Sequence, residues 1–205
     1  MVVRKNIEQK ILDSALMLAE DRSWEDVQLR DVAKNLEISL FEIHQYYSQK
    51  DDLVEAWFDR ADHAMLKLSL NELSEMKLSD RIQKIMFTWL DTLATHKTVT
   101  RNMLWYKFEP LHVHLQVLGL LRISRTVQWV RELAGINDRF LLRIINEVGL
   151  TSIYVCTFLY WLQDTSDNQK NTHQFLERKL KCIGNIYRML GTGELKVQKP
   201  TEPTA

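Results

Sequence analysis

Apolar side chains recur three or four residues apart along most of the chain, and no sustained period of two replaces that spacing, so the pattern predicts an all-helical fold. A first helix is expected over 6–21, where Ile7, Ile11, Ala15, Leu18 and Ala19 form one stripe. Trp24 and Val27 then close the loop against it, and a short helix over 29–35 turns Leu29, Val32, Ala33 and Leu36 inward, with Ile38 packing in the following turn. Ser39 and Glu42 have the spacing of a capping box and mark the start of a third helix running to about residue 47. Its inward side chains are expected to be Leu40 or Phe41, with Ile43 and Tyr47, leaving Glu42, Gln45 and Tyr46 outside.

A second cap is expected at Ser48 with Asp51, opening a longer helix through Leu53, Trp57, Ala61, Ala64 and Leu68. Ser79 is expected to cap a helix displaying Ile82, Ile85, Met86, Trp89, Leu90 and Leu93. A short helix over 98–107 precedes Pro110, and 111–134 forms a long one with Gly135 placed as its carboxyl-terminal cap. Leu141, Ile145, Val148, Ser152, Val155, Leu159 and Leu162 alternate spacings of four and three, the seam of a helix packed lengthwise on others, and Leu176, Leu180, Ile183, Tyr187 and Leu190 repeat it. Because the first of these late helices is apolar all round, it needs cover on every side. A homodimer through the last two long helices would supply it, with Val155, Leu159, Leu162, Leu176, Leu180, Ile183 and Tyr187 as interface candidates.

The expected organisation, about nine helices in all, is an amino-terminal three-helix lobe over 1–50, a second helical body over 51–190 and a flexible tail over 191–205. With 205 residues and 45% hydrophobic composition, the chain can bury a real core. Cys156 and Cys182 show neither metal-ligand spacing nor a disulfide framework, and His112 with His114 straddle one residue, which does not align two ligands on a helix face. Asp164 to Asn168 resembles a cation loop but lacks its glycine and distal glutamate, so a polar turn is expected. No phosphate loop, zinc-protease pair or nucleophile elbow is visible, so an enzyme, a metal and a cofactor are all unexpected. The amino terminus lacks the apolar core of a signal peptide, and the stretch 148–163 is short for a membrane span. Together with the two unpaired cysteines this points to a cytoplasmic protein without an integral membrane segment.

Short helix, tight turn and short helix between Arg30 and Leu53 have the layout of a DNA-reading helix-turn-helix. This stretch resembles the TetR/AcrR family of bacterial transcriptional regulators, most specifically over 7–54. Arg30, Asp31, Val32, Ala33 and Lys34 resemble the family's second-helix signature, and Ile38 and Ser39 its turn and cap. Tyr46 and Tyr47 fall where it usually has His or Tyr before Phe, and Lys50 and Leu53 match the start of its fourth helix. The chain departs where Glu37 stands for the usual glycine, where Leu40 and Phe41 replace a small or basic pair, and where His44 replaces a common tyrosine. The resemblance implies a homodimeric, ligand-responsive repressor on a palindromic double-stranded DNA operator. It gives DNA-contact roles to Arg30, Ser39, Leu40, Gln45, Tyr46 and Lys50: Tyr46 and Lys50 on phosphates, and Gln45 on a base edge, adenine suiting an amide.

In the second lobe, Trp89, Met103, Trp105, Phe108, Trp129, Tyr154 and Phe158 are the candidates to line a site for a small apolar effector or lipid. Charge opposes the DNA reading, since the first sixty residues carry eight basic and thirteen acidic side chains in a chain of net charge zero. Binding is therefore expected to be weak and strongly salt-sensitive beside that of a basic regulator. The alternative is a protein of the same fold that binds lipid without reading DNA. Its basis is the segment Leu150, Thr151, Ile153, Tyr154, Gln163, Asp164, Ser166 and Phe175 to Arg178, which is similar to the carboxyl-terminal region of lipid-binding ubiquinone-biosynthesis proteins.

Overall fold

A computed structural model describes the backbone of residues 2–107, 113–136 and 141–189, and side-chain surroundings over 6–105, 122–136 and 147–182. Ten α-helices lie among them: α1 (Val2–Asp21), α2 (Leu29–Leu36), α3 (Leu40–His44), α4 (Lys50–Leu66), α5 (Leu70–Glu75), α6 (Leu78–Ala94), α7 (Lys97–Lys107), α8 (Val113–Ala134), α9 (Leu141–Gln163) and α10 (Lys170–Met189). The all-helical expectation holds. Two compact units divide the chain, one made of residues 1–61 and 91–117, the other of 62–90 and 118–205.

In the first unit α1 packs on α2, and α7 lies against both α1 and the 3-10 turn Trp24–Asp26. Much of the core is the one the spacing predicts, with Ile11, Ala15, Trp24, Val32, Ile43, Leu53 and Trp57 essentially inaccessible to water, but Leu12 and Leu16 are buried as well, and Leu18, Leu29, Leu36 and Ile38 are only half-buried. Polar ties fix the helices. Trp57 donates its indole N–H to Thr100 Oγ1 at 2.8 Å, Tyr47 donates its hydroxyl to the Glu8 carbonyl at 3.2 Å, and the Asn35 amide donates to Ser14 Oγ at 2.9 Å. Burial, reinforced by Glu8, pushes the Tyr47 hydroxyl well above the ordinary phenol range, so it stays a donor.

Three local expectations change. Ser48 is held by Asp52 rather than Asp51: its backbone N–H and its hydroxyl donate to Asp52 Oδ2 at 2.8 and 2.6 Å, because the chain bends before Lys50 and brings the later carboxylate round. Ser79 lies inside α6, which already begins at Leu78, and turns its hydroxyl to Asp80 instead of capping. The added helix α5, capped by Ser69, has a single buried apolar residue, Leu73, too little for a periodic signal.

The second unit has its core on α6, α8 and α9, with α10 packed along α9. Arg81 ties it together: its guanidinium donates to the Ala134 carbonyl at 2.7 Å and to the Ser74 and Met76 carbonyls at 3.2 Å, satisfying acceptors that the ends of α8 and α5 leave open. Gly135 follows α8 with φ 68°, the left-handed position for which glycine has no steric penalty. The stretch 164–168 is a polar turn that opens α10. Asp164 accepts from the backbone and hydroxyl of Ser166 and, through Oδ2, from those of Thr172.

Candidate nucleic-acid interface

The turn between α2 and α3 is set by Glu37, whose φ of 55° and ψ of 35° are left-handed. The Ile38 N–H reaches the Ala33 carbonyl at 3.0 Å and the Glu37 N–H the Lys34 carbonyl at 3.3 Å, the paired bonds of a Schellman ending. Ser39 then caps α3 as its spacing predicts. Glu42 N–H donates to Ser39 Oγ at 3.1 Å, while the Ser39 N–H and hydroxyl donate to Glu42 Oε2 at 2.8 and 3.0 Å. These bonds hold the Glu42 carboxyl below the usual glutamate range, so it is an anion fixed at the start of the helix.

Ile43 and Tyr47 are the inward anchors of this segment, as expected, but neither Leu40 nor Phe41 joins them. Leu40 is 53% and Phe41 72% exposed. The regular α-helix also ends at His44, with Gln45 and Tyr46 in the turn beyond it, where the Tyr46 N–H bonds the Ile43 carbonyl. Five residues make less than two turns, so one buried side chain there and one just after suffice as anchors. The outer surface is thus Leu40, Phe41, Glu42, His44 and Gln45, with Tyr46 half-buried and Arg30 exposed on α2.

Lys50 has a local duty that the sequence did not reveal. Its ammonium donates to the Trp24 and Glu25 carbonyls at 2.5 and 3.0 Å and lies 5.1 Å from the centroid of the Trp24 ring. Burial lowers its pKa, against the pull of Asp51, Glu25 and Asp26.

In the second unit, Trp89, Tyr154 and Phe158 form one aromatic cluster, with Trp89 5.3 Å from Tyr154 and 5.2 Å from Phe158 between ring centroids. The polar residues beside it were not among the sequence candidates. Asp62 accepts from the Trp89 indole at 2.8 Å, from the Arg122 guanidinium at 2.8 Å and from the Thr126 hydroxyl at 3.1 Å, all four residues being buried. Burial, with the Asp62 charge adding to it, pushes the Tyr154 hydroxyl far up, so that it remains a neutral phenol. A hint was available in the sequence: Asp62 follows the buried Ala61 inside an apolar stripe, and Arg122 interrupts a leucine-rich run.

Met103 is buried in the first unit, Trp105 and Trp129 are exposed, and Phe108 lies outside the described residues. On α9, Leu150, Ile153, Thr157 and Trp161 face the core of their own unit, while Val148 is 61% and Leu159 47% exposed, on a face shared with Ser152 and Cys156. Val155, Leu162 and Leu180 are half-buried and Leu176 is fully buried; the side chains of Ile183 and Tyr187 lie outside the described residues, as do His112 and the side chain of His114. No helix among the described residues is long and apolar enough to cross a membrane, and no acidic, histidine and cysteine cluster among them could hold a metal ion.

A short capped helix displayed after a tight turn, joined to a larger helical body, defines the class of helix-turn-helix regulators. Residues 11–57 match the amino-terminal model of the bacterial regulatory proteins of the TetR family, and residues 148–187 match the COQ9 family model. The TetR transcriptional regulator from Nitrosomonas europaea ATCC 19718 is 42% identical, with 86% of this chain and 97% of that one covered at a TM-score of 0.77. A regulatory protein of the tetR family from Rhodococcus RHA1 is 16% identical over 86% of this chain and 96% of its own, with a TM-score of 0.48. None of the curated proteins compared with the chain matches it. The chain belongs to the TetR family of bacterial transcriptional regulators.

Proposed function

We propose that this protein is a ligand-responsive repressor that binds a palindromic operator as a homodimer. The outward face of α3 carries the reading: a helix capped by Ser39 and Glu42, anchored through Ile43 and Tyr47, with its other side chains turned to solvent. Gln45 would meet a base edge, and Tyr46 and Arg30 would position the backbone, while the Ser39 hydroxyl, whose proton goes to Glu42, would have to leave that carboxylate to reach a phosphate. Lys50 would have to leave the Trp24 and Glu25 carbonyls to reach a phosphate, so its first role in the proposal is to hold the 3-10 turn that leads into α2.

The open α9 face with Val148, Ser152 and Leu159 supports pairing of two copies, together with Val155 and Leu162 at its margin. The aromatic cluster of Trp89, Tyr154 and Phe158 beside the Asp62–Arg122 pair is proposed as the effector site. An apolar effector bound there would favour a state whose two reading heads no longer meet successive major grooves, about 34 to 36 Å apart.

Selection of duplexes from random DNA at low salt, followed by light scattering of the free and bound protein, tests this reading. An enriched palindrome bound by a dimer is the expected result; absence of any enriched sequence would overturn it. The match of residues 148–187 to the COQ9 model supports a second reading, a lipid-binding protein of this fold. Organic extraction of the purified protein followed by mass spectrometry would then yield an isoprenoid or acyl lipid while DNA selection yields nothing.

A further inference from the structure

Phe41 is the most exposed large apolar side chain among the described residues, and Leu40 stands beside it at the start of the same helix. Their exposure is fixed by the local geometry. The capping bonds of Ser39 and Glu42 set the rotation of α3, Ile43 takes the inward position, and Leu40 and Phe41 are left on the outside. The sequence of α3, Leu-Phe-Glu-Ile-His, contains neither lysine nor arginine, so the paired donors that recognise guanine are missing from the helix itself. Its one carboxylate, on Glu42, is engaged through Oε2 by the Ser39 N–H and hydroxyl. What the start of α3 offers a major groove is therefore mainly apolar, with His44 the further exposed polar side chain at its end. The one apolar group that a base pair presents in that groove is the C5-methyl of thymine.

We infer that Phe41, with Leu40 next to it, reads thymine methyl groups, so that each operator half-site contains a thymine step facing the start of α3. The inference rests on the DNA-binding reading of the proposed function. Specificity at this step comes from apolar contact and depends little on salt, in contrast to the phosphate contacts that set overall affinity. Gln45, one turn further along, is left to read a neighbouring base by its amide.

The test uses the full chain and the duplex that random selection yields. Each thymine in a half-site is replaced in turn by deoxyuridine, which removes only the methyl group, and affinity is measured for the wild type and for Phe41→Ala and Leu40→Ala. Both side chains lie outside the core, so the variants keep the fold, and far-ultraviolet circular dichroism verifies it. At one or two adjacent thymines the wild type should lose about fourfold in affinity per methyl, the magnitude of burying one such group. Phe41→Ala should bind the thymine and deoxyuridine duplexes equally at the position it reads. A selected duplex whose affinity is indifferent to deoxyuridine at every thymine would overturn the inference and leave the regulator reading intact, as would a deoxyuridine effect that persists undiminished in both variants. Failure to select any duplex would overturn the regulator reading itself and the inference with it.

Discussion

Replacing Glu37 with glycine should stabilise the protein. At φ 55° the Cβ of any residue other than glycine crowds the following carbonyl, at a cost of roughly 1–2 kcal/mol. Glycine avoids that crowding but adds about 0.5–1 kcal/mol of chain entropy to the unfolded state. The difference leaves Glu37→Gly more stable by about 0.5–1 kcal/mol, with the Ile38 and Glu37 backbone bonds unchanged. With a urea slope of about 2–3 kcal/mol per molar, the midpoint should rise by roughly 0.3 M, and the melting temperature by about 2–4 °C per kcal/mol. Glu37→Ala separates the backbone from the charge, because it removes the carboxylate and keeps the Cβ. It should unfold close to the wild-type midpoint, while Glu37→Asn, better tolerated in this region, should fall between the two. A glycine variant no more stable than the wild type, or an alanine variant stabilised as much as glycine, would refute the reasoning.

Asp62→Ala should lose about 3–5 kcal/mol in urea unfolding, because it takes from the buried Arg122 guanidinium, Trp89 indole and Thr126 hydroxyl the carboxylate they share. A loss below about 1 kcal/mol would show that the cluster relaxes or admits water. Trp57→Phe should cost at least about 2 kcal/mol in the same measurement, because it removes the Thr100 hydrogen bond and leaves a cavity where part of a fully buried indole was. At Asp164, burial raises the carboxyl but the Ser166 and Thr172 hydrogen bonds outweigh it, and its pKa is net lowered well below the usual range. A carboxyl lowered on folding contributes stability above its unfolded value and loses it as pH falls through the folded one. The advantage of the wild type over Asp164→Asn should therefore be full at neutral pH and shrink progressively below about pH 4, as read from urea midpoints across that range.

Most of the helical architecture was legible in the spacing of apolar residues, since helices such as α1, α6 and α9 are long enough to bury one face and show it. The Ser39 to Glu42 cap was equally legible because it is local. Leu40 and Phe41 were misread for the same reason that α5 was missed: with less than two turns there is no period to find, and an apolar residue defaults to the inside. Lys50 and the Asp62 cluster needed tertiary structure. A lysine that caps carbonyls 25 residues away leaves no mark in any local window, and an aspartate that meets an arginine 60 residues later shows locally only as a charge inside an apolar stripe, with nothing to name its partner.

The Trp57 to Thr100 bond and the contact of His96 Nδ1 with Glu20 at 2.6 Å bear on how the chain can be dissected. A peptide ending near residue 61 would carry Trp57 away from the α7 side chain that completes it and strip the 3-10 turn at Trp24 of its neighbour. The reading head is thus interleaved along the gene rather than detachable. Proteolytic nicking between α6 and α7 would break it from behind, and transplanting its specificity to another scaffold would mean moving α7 as well.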